Sequence, residues 1–156
     1  MKRFFTLLVL LFSISMAFSQ SKGDIIIGAN SSLSTGRLVD LRLLPNVGYQ
    51  VNESVQVGAA ITVLNSPGSD YNSFSIYARY YPKSCVISER IRSFFQLSGG
   101  VSPTHNTTTF GAAAGVTAFL GKWFFVEPKL GWDLNTFEDQ NISNLGISLG
   151  FGVRLN

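Results

Sequence analysis

Apolar and polar residues alternate along most of this chain with a period of two. In Val55–Val63, the residues Val55, Val57, Ala59, Ile61 and Val63 share one parity, and Gln56, Gly58, Ala60 and Thr62 share the other. Near the C-terminus Leu145, Ile147, Leu149, Phe151, Val153 and Leu155 alternate with Gly146, Ser148, Gly150, Gly152 and Arg154. Phe74, Ile76, Ala78 and Tyr80 stand against Ser75, Tyr77, Arg79 and Tyr81. Phe124, Val126, Leu130, Trp132 and Leu134 stand against Glu127, Lys129 and Asp133. Successive side chains of a β-strand point to opposite faces, so each stretch reads as a strand with one apolar face.

Eight such segments are predicted: Asp24–Leu33, Val39–Val51, Ser54–Leu64, Ser73–Pro82, Ile91–Ser102, Thr108–Leu120, Trp123–Asn135 and Leu145–Leu155. Many have around 10 residues, the length a tilted strand needs to cross a bilayer. Asn52-Glu53 and Gly121-Lys122 read as tight turns. Ser31–Arg37, Asn65–Asn72, Pro103–Thr107 and Thr136–Asn144 read as polar loops, mostly longer. Short turns on one side and longer loops on the other are the habit of bacterial outer-membrane barrels. Lys83–Arg90 departs from it as a longer turn on the periplasmic side. Pro45 and Pro128 cannot donate to a ladder, so a local irregularity is expected at each.

The charges inside the segments all take the non-apolar parity: Asp40, Arg42, Arg79, Glu127, Lys129, Asp133 and Arg154. Facing lipid, each would cost roughly 2–4 kcal/mol near the midplane. Facing a narrow lumen they can pair, and acids and bases nearly match, so a salt-bridged plug is expected. Alternation alone leaves open which face is inside. A soluble lipocalin-like barrel binding an apolar ligand would turn the apolar face inward. The aromatic residues favour the opposite. Tyr49, Tyr80, Tyr81, Phe95, Trp123 and Phe124 fall near one set of strand ends, and Tyr71, Phe74, Phe110, Trp132 and Phe137 near the other. Two such belts match the interfacial girdles of a membrane barrel, with Tyr49, Tyr80, Trp123, Phe124, Trp132 and Phe151 as lipid-facing residues. The expected fold is therefore all-β, a single antiparallel up-and-down transmembrane barrel of about eight strands.

Composition narrows the picture further. Lys2 and Arg3 precede the apolar run Phe4–Phe12, and Ala17-Phe18-Ser19 offers small residues for cleavage, so residues 1–19 read as a signal peptide and 20–156 as the barrel domain. Without Lys2 and Arg3 the net charge of +3 falls to +1. No basic block remains, and nucleic acid is not an expected partner. The mature region has no apolar run long enough for a membrane helix. The lone Cys85 cannot form an internal disulfide.

Several motifs in order resemble the small outer-membrane β-barrel domain proteins common in Bacteroidota. They are Leu44-Pro45-Asn46-Val47-Gly48-Tyr49, Val55-Gln56-Val57-Gly58, Ala78-Arg79-Tyr80-Tyr81, Phe119-Leu120-Gly121-Lys122-Trp123, Val126-Glu127-Pro128 and Gly150-Phe151-Gly152-Val153, with a Ser19-Gln20 junction like that group's signal peptides. The likeness spans essentially the whole mature chain. It implies an eight-stranded barrel inserted by the barrel-assembly machinery, in contact with outer-membrane lipid. Members are often labelled porin-like, and the resemblance fixes no activity. Such barrels often end in an aromatic residue, whereas this chain ends in Leu155-Asn156, with Phe151 the nearest aromatic.

Chemistry is sparse. Lipid A deacylases among small outer-membrane barrels use Ser, His and an acid, and the one histidine, His105, lies in a predicted loop. A polar loop histidine supplies little of a nucleophile–base pair, so no enzymatic role is expected and an outer-membrane lipid hydrolase is a distant alternative. No His/Cys cluster has metal-ligand spacing, and Glu138-Asp139 reads as a solvated acidic pair, so neither metal nor cofactor is expected. The expected role is structural or surface-interacting, through an unknown partner at the outer loops, with a narrow or closed pore.

Overall fold

The computed structural model describes residues 22–34, 44–66, 69–88, 90–137 and 140–155. Their strands are β1 (Ile25–Ser34), β2 (Leu44–Asn52), β3 (Val55–Ser66), β4 (Ser69–Tyr80), β5 (Val86–Ser88), β6 (Ile91–Ser102), β7 (Thr107–Phe119), β8 (Phe124–Phe137) and β9 (Gln140–Leu155). All pairings are antiparallel, and neighbours in sequence are neighbours in space, apart from the three-residue β5. The sheet closes where β1 pairs with β9, from Ile25↔Leu155 to Ser34↔Gly146. Eight strands form the wall. Closure removes the exposed edges that an open sheet would leave.

The start of β1 and the end of β9 lie together at one end of the barrel, the terminal end. The β2–β3, β4–β6 and β7–β8 connections share it. Tight local chemistry makes the first of these: the Asn52 side chain accepts a hydrogen bond from the Ser54 amide at 2.8 Å, an Asx turn. Between β4 and β6 a single 3-10 turn, Lys83–Cys85, leads into β5, which pairs with the first residues of β6 below the point where β4 leaves. The opposite, loop end carries the β1–β2, β3–β4, β6–β7 and β8–β9 connections.

Two expected loops are shorter than the polar sequence suggested. β3 and β4 stay paired from Val55↔Tyr80 to Ser66↔Ser69, and β8 and β9 from Phe124↔Val153 to Phe137↔Gln140. Ser, Thr and Asn residues there continue the ladder as hairpins. A strand beyond the apolar band needs no apolar face, so its polarity imitates a loop. Both prolines mark interruptions. β2 pairs with β3 from Asn46 onward, immediately after Pro45. The β7–β8 ladder skips from Gly115↔Lys129 to Ala118↔Val126, across Pro128, while the β9 side of Pro128 stays in register.

Candidate functional site: the barrel interior

The two faces of the wall are chemically inverted relative to a soluble protein. Ile25, Val47, Val57, Ile61, Ile76, Leu97, Leu130, Ile147 and Leu149 are exposed on the outside. A lipocalin-like barrel would bury this set, so that arrangement is not the one adopted. Tyr49, Tyr80, Phe95, Trp123 and Phe124 are exposed toward the terminal end, and Phe74, Phe110 and Trp132 toward the loop end; Phe151 is exposed as well. Tyr81 differs from the rest of its expected belt: it is 0% exposed and points inward. It shares the parity of Arg79, and parity overrides its position near the strand end.

The terminal-end half of the lumen is filled. Arg79 on β4 reaches across to Glu127 on β8, and its Nη1 donates to both carboxylate oxygens at 2.8 Å. Its Nε donates to Gln96 Oε1 at 2.7 Å, while Thr117 Oγ1 donates to Glu127 at 2.8 Å. The pair is thus hydrogen-bonded on both sides, the condition under which buried charges are tolerated. Arg154 faces Asp24 with Nε to Oδ2 at 3.7 Å, both nearly inaccessible. Arg92 and Arg154 also donate to turn carbonyls, at Glu53 (2.7 Å) and Lys122 (3.2 Å), which ties the plug to the turns beneath it.

Aromatic rings complete the plug. Arg79 lies over the rings of Tyr77 and Phe94, at 5.0 and 4.6 Å from their centroids. Arg92 lies over Tyr81 and Arg154 over Phe119, each at 5.2 Å. Each guanidinium therefore gains a cation–π partner in a desolvated site. Tyr81 donates to Gln56 Oε1 at 2.8 Å, and Ile26, Phe119 and Phe125 form an apolar cluster at the bottom. These rings need room across a narrow lumen, and glycine supplies it. A Cβ at Gly58 would run into the Tyr77 ring and stand 2.5 Å from the Val47 carbonyl oxygen.

The loop-end half is different. There the lumen holds a cavity of about 430 Å³, walled by Ser, Thr and Asn side chains together with small Gly and Ala residues, and floored by Tyr77, Arg79 and Gln96. Lys129 and Asp133 both face this cup from β8. Lys129 is half-buried; Asp133 is exposed and lies over Gly111, its partner on β7. The two make no ion pair with each other. Of the expected network, then, the structure joins Arg79 to Glu127 and Arg154 to Asp24, and leaves Lys129 and Asp133 apart in the cup. Asp40 and Arg42 lie outside the described residues, as do the signal segment and Glu138-Asp139.

Asp24 and Arg92 complete the plug but were not among the charges singled out. Both lie at the edges of their strands, where parity is hardest to count, although Arg92 does alternate with Phe94 and Gln96. His105 closes a 3-10 turn, Pro103–His105, between β6 and β7. Among the described residues no three His, Cys, Asp or Glu side chains gather as a metal site would require.

Neither a protein-family model nor a curated protein sequence matches the chain. Solved structures do resemble it. The N-terminal β-barrel domain of Pseudomonas aeruginosa OprF superposes with a TM-score of 0.65 at 15% identity, covering 87% of this chain and 100% of that one. A de novo designed transmembrane β-barrel gives 0.59 at 13% identity, over 88% and 100%. The Yersinia pestis outer membrane protein Ail, in a phospholipid bilayer nanodisc, gives 0.51 at 13% identity, over 86% and 100%. At such identities the common property is the fold: this chain is a closed antiparallel β-barrel of eight strands, built like those transmembrane barrels.

Proposed function

We propose that the protein is an integral barrel of the bacterial outer membrane, with a structural or surface-interaction role and no through-channel. The inversion of its two faces carries this reading. Ile76 and Ile147 are 59% and 60% exposed outside, while Arg79, Glu127 and Arg154 are 2–3% exposed inside. Water would favour the reverse, and a hydrocarbon surrounding favours this arrangement. The exposed aromatic residues toward both ends fit interfacial girdles. The fold shared with transmembrane barrels supports the same placement.

In this reading residues 1–19 are an export signal, and the barrel-assembly machinery inserts the mature chain. The terminal end faces the periplasm, and the loop-end hairpins meet surface partners. The resemblance to Bacteroidota barrels supports that origin. "Porin-like" then describes the wall rather than a solute path, because the plug fills the terminal-end half.

Both tryptophans, Trp123 and Trp132, are exposed on the outside. They make a native probe. In liposomes containing brominated phospholipid, their fluorescence is expected to be strongly quenched relative to ordinary lipid. Unchanged emission with a folded barrel would count against lipid contact.

A further inference from the structure

Glu127 pairs with Arg79 at the floor of the cup, and among the described residues Lys129 faces the cavity with no ion pair of its own. Asp133 faces the same space from the same strand. They are four positions apart, roughly 13 Å of strand between Cα atoms, and neither forms an ion pair or hydrogen bond among the described residues. The cup thus has a positive site deeper in and a negative site nearer the mouth. Ser98 lies level with Asp133 across Gly111, and Thr109 and Asn135 lie beyond it toward the mouth, so neutral donors and acceptors line the cup beside its negative site. Thr109 Oγ1 and Asn135 Oδ1 already bond each other at 2.7 Å, which fixes part of that wall.

We propose that this cup binds a small elongated zwitterion of the short-peptide class, its anionic end toward Lys129 and its cationic end toward Asp133. A volume of about 430 Å³ lies within the size range of small-molecule sites. An extended chain of two or three residues spans roughly 7–10 Å, which suits two charged sites set apart along one strand. A simple anion would meet Asp133 as well as Lys129, and like charge opposes it. The Ser, Thr and Asn side chains of the wall supply hydrogen bonds that orient a peptide unit, and its Ala residues leave room for small side chains. The inference needs a folded barrel with an open loop end, and does not depend on the membrane in which it resides.

The test uses the full mature protein, folded in detergent micelles, with calorimetry and amide chemical shifts as readouts. The probes are alanyl-alanine, its N-acetylated form, which lacks the cation, and its C-terminal amide, which lacks the anion. Alanyl-alanine is expected to bind saturably and shift the amides of Ser98, Thr109 and Asn135, with each capped form at least tenfold weaker. Lys129→Met and Asp133→Asn are each expected to weaken alanyl-alanine at least tenfold. Absence of saturable binding, equal binding of the capped forms, or shifts confined to the outer wall would overturn the proposal. The capped-peptide comparison stands on the unaltered protein even where a variant fails to fold. Binding by a protein found in the soluble fraction would sink the membrane reading and leave the cup; a membrane-resident barrel that ignores the peptide would do the reverse.

Discussion

Arg79 on β4 and Glu127 on β8 meet across the lumen through two 2.8 Å hydrogen bonds from one guanidinium nitrogen, with side chains only 2% and 4% exposed. β6 and β7 lie between their strands in the wall, so the pair spans the lumen and holds opposite sides of the barrel in register.

Removing one partner strands a buried charge. Arg79→Met or Glu127→Gln alone is expected to destabilise the barrel by about 3–5 kcal/mol. The double variant Arg79→Met with Glu127→Met should recover most of that, because no uncompensated charge remains. Urea midpoints for loss of the folded, fast-migrating gel band measure both. Equal losses in single and double variants would contradict a charge-balanced plug.

Leu149 and Gly150 are neighbours on opposite faces. Leu149→Arg places a charge on the outer wall, at a cost of roughly 2–4 kcal/mol near a bilayer midplane, and is expected to block or sharply reduce assembly. Gly150→Ala should be mild, since its new Cβ comes nearest to Asn30 Oδ1 (2.5 Å), the movable end of a side chain. Folded yield in the membrane fraction compares them. Similar yields would count against the assignment of faces.

Space for the plug rests on glycine. Gly58→Ala meets the Tyr77 ring and the Val47 carbonyl, whereas Gly99→Ala meets nothing within 4 Å. The first is expected to cost about 1–3 kcal/mol, the usual range for overpacking, and the second close to nothing. Denaturant titration of the two variants decides it.

Cys85 is a free, exposed thiol in the turn between β4 and β6 at the terminal end. With that end in the periplasm, a membrane-impermeant maleimide should label Cys85 after the outer membrane is permeabilised and leave intact cells unlabelled. Labelling of intact cells would reverse the orientation.

Much of this architecture is legible in the sequence, because period-two alternation survives wherever a strand has one wet and one dry face. Ile91–Ser102 is predicted with the limits that β6 adopts. The hairpin tips look like loops in the sequence because, past the apolar band, Thr136, Asn141 and Ser143 carry no alternation. The interior is less legible. Parity places Arg79, Glu127 and Arg154 on one face but cannot say which acid meets which base, since that depends on reach across the lumen. Tyr81 shows the competition between two signals: position near a strand end suggested a girdle, and side-chain parity decided its place. The cup is not legible in the sequence because it is defined by small residues leaving space, a property no single position displays.

The proposed absence of a through-channel rests on the side chains that fill the lumen from Ile26 to Arg79. In planar bilayers the folded protein is therefore expected to show no sustained ohmic conductance. A stable open channel would require the plug to be absent in the membrane.

The most direct measurement is gel mobility of the protein from the outer-membrane fraction, with and without boiling. A closed barrel with a lipid-facing wall should be found in that fraction, migrate fast when unheated and shift to slower mobility on boiling. Recovery in the soluble fraction, with no heat-dependent shift, would contradict the membrane-embedded barrel.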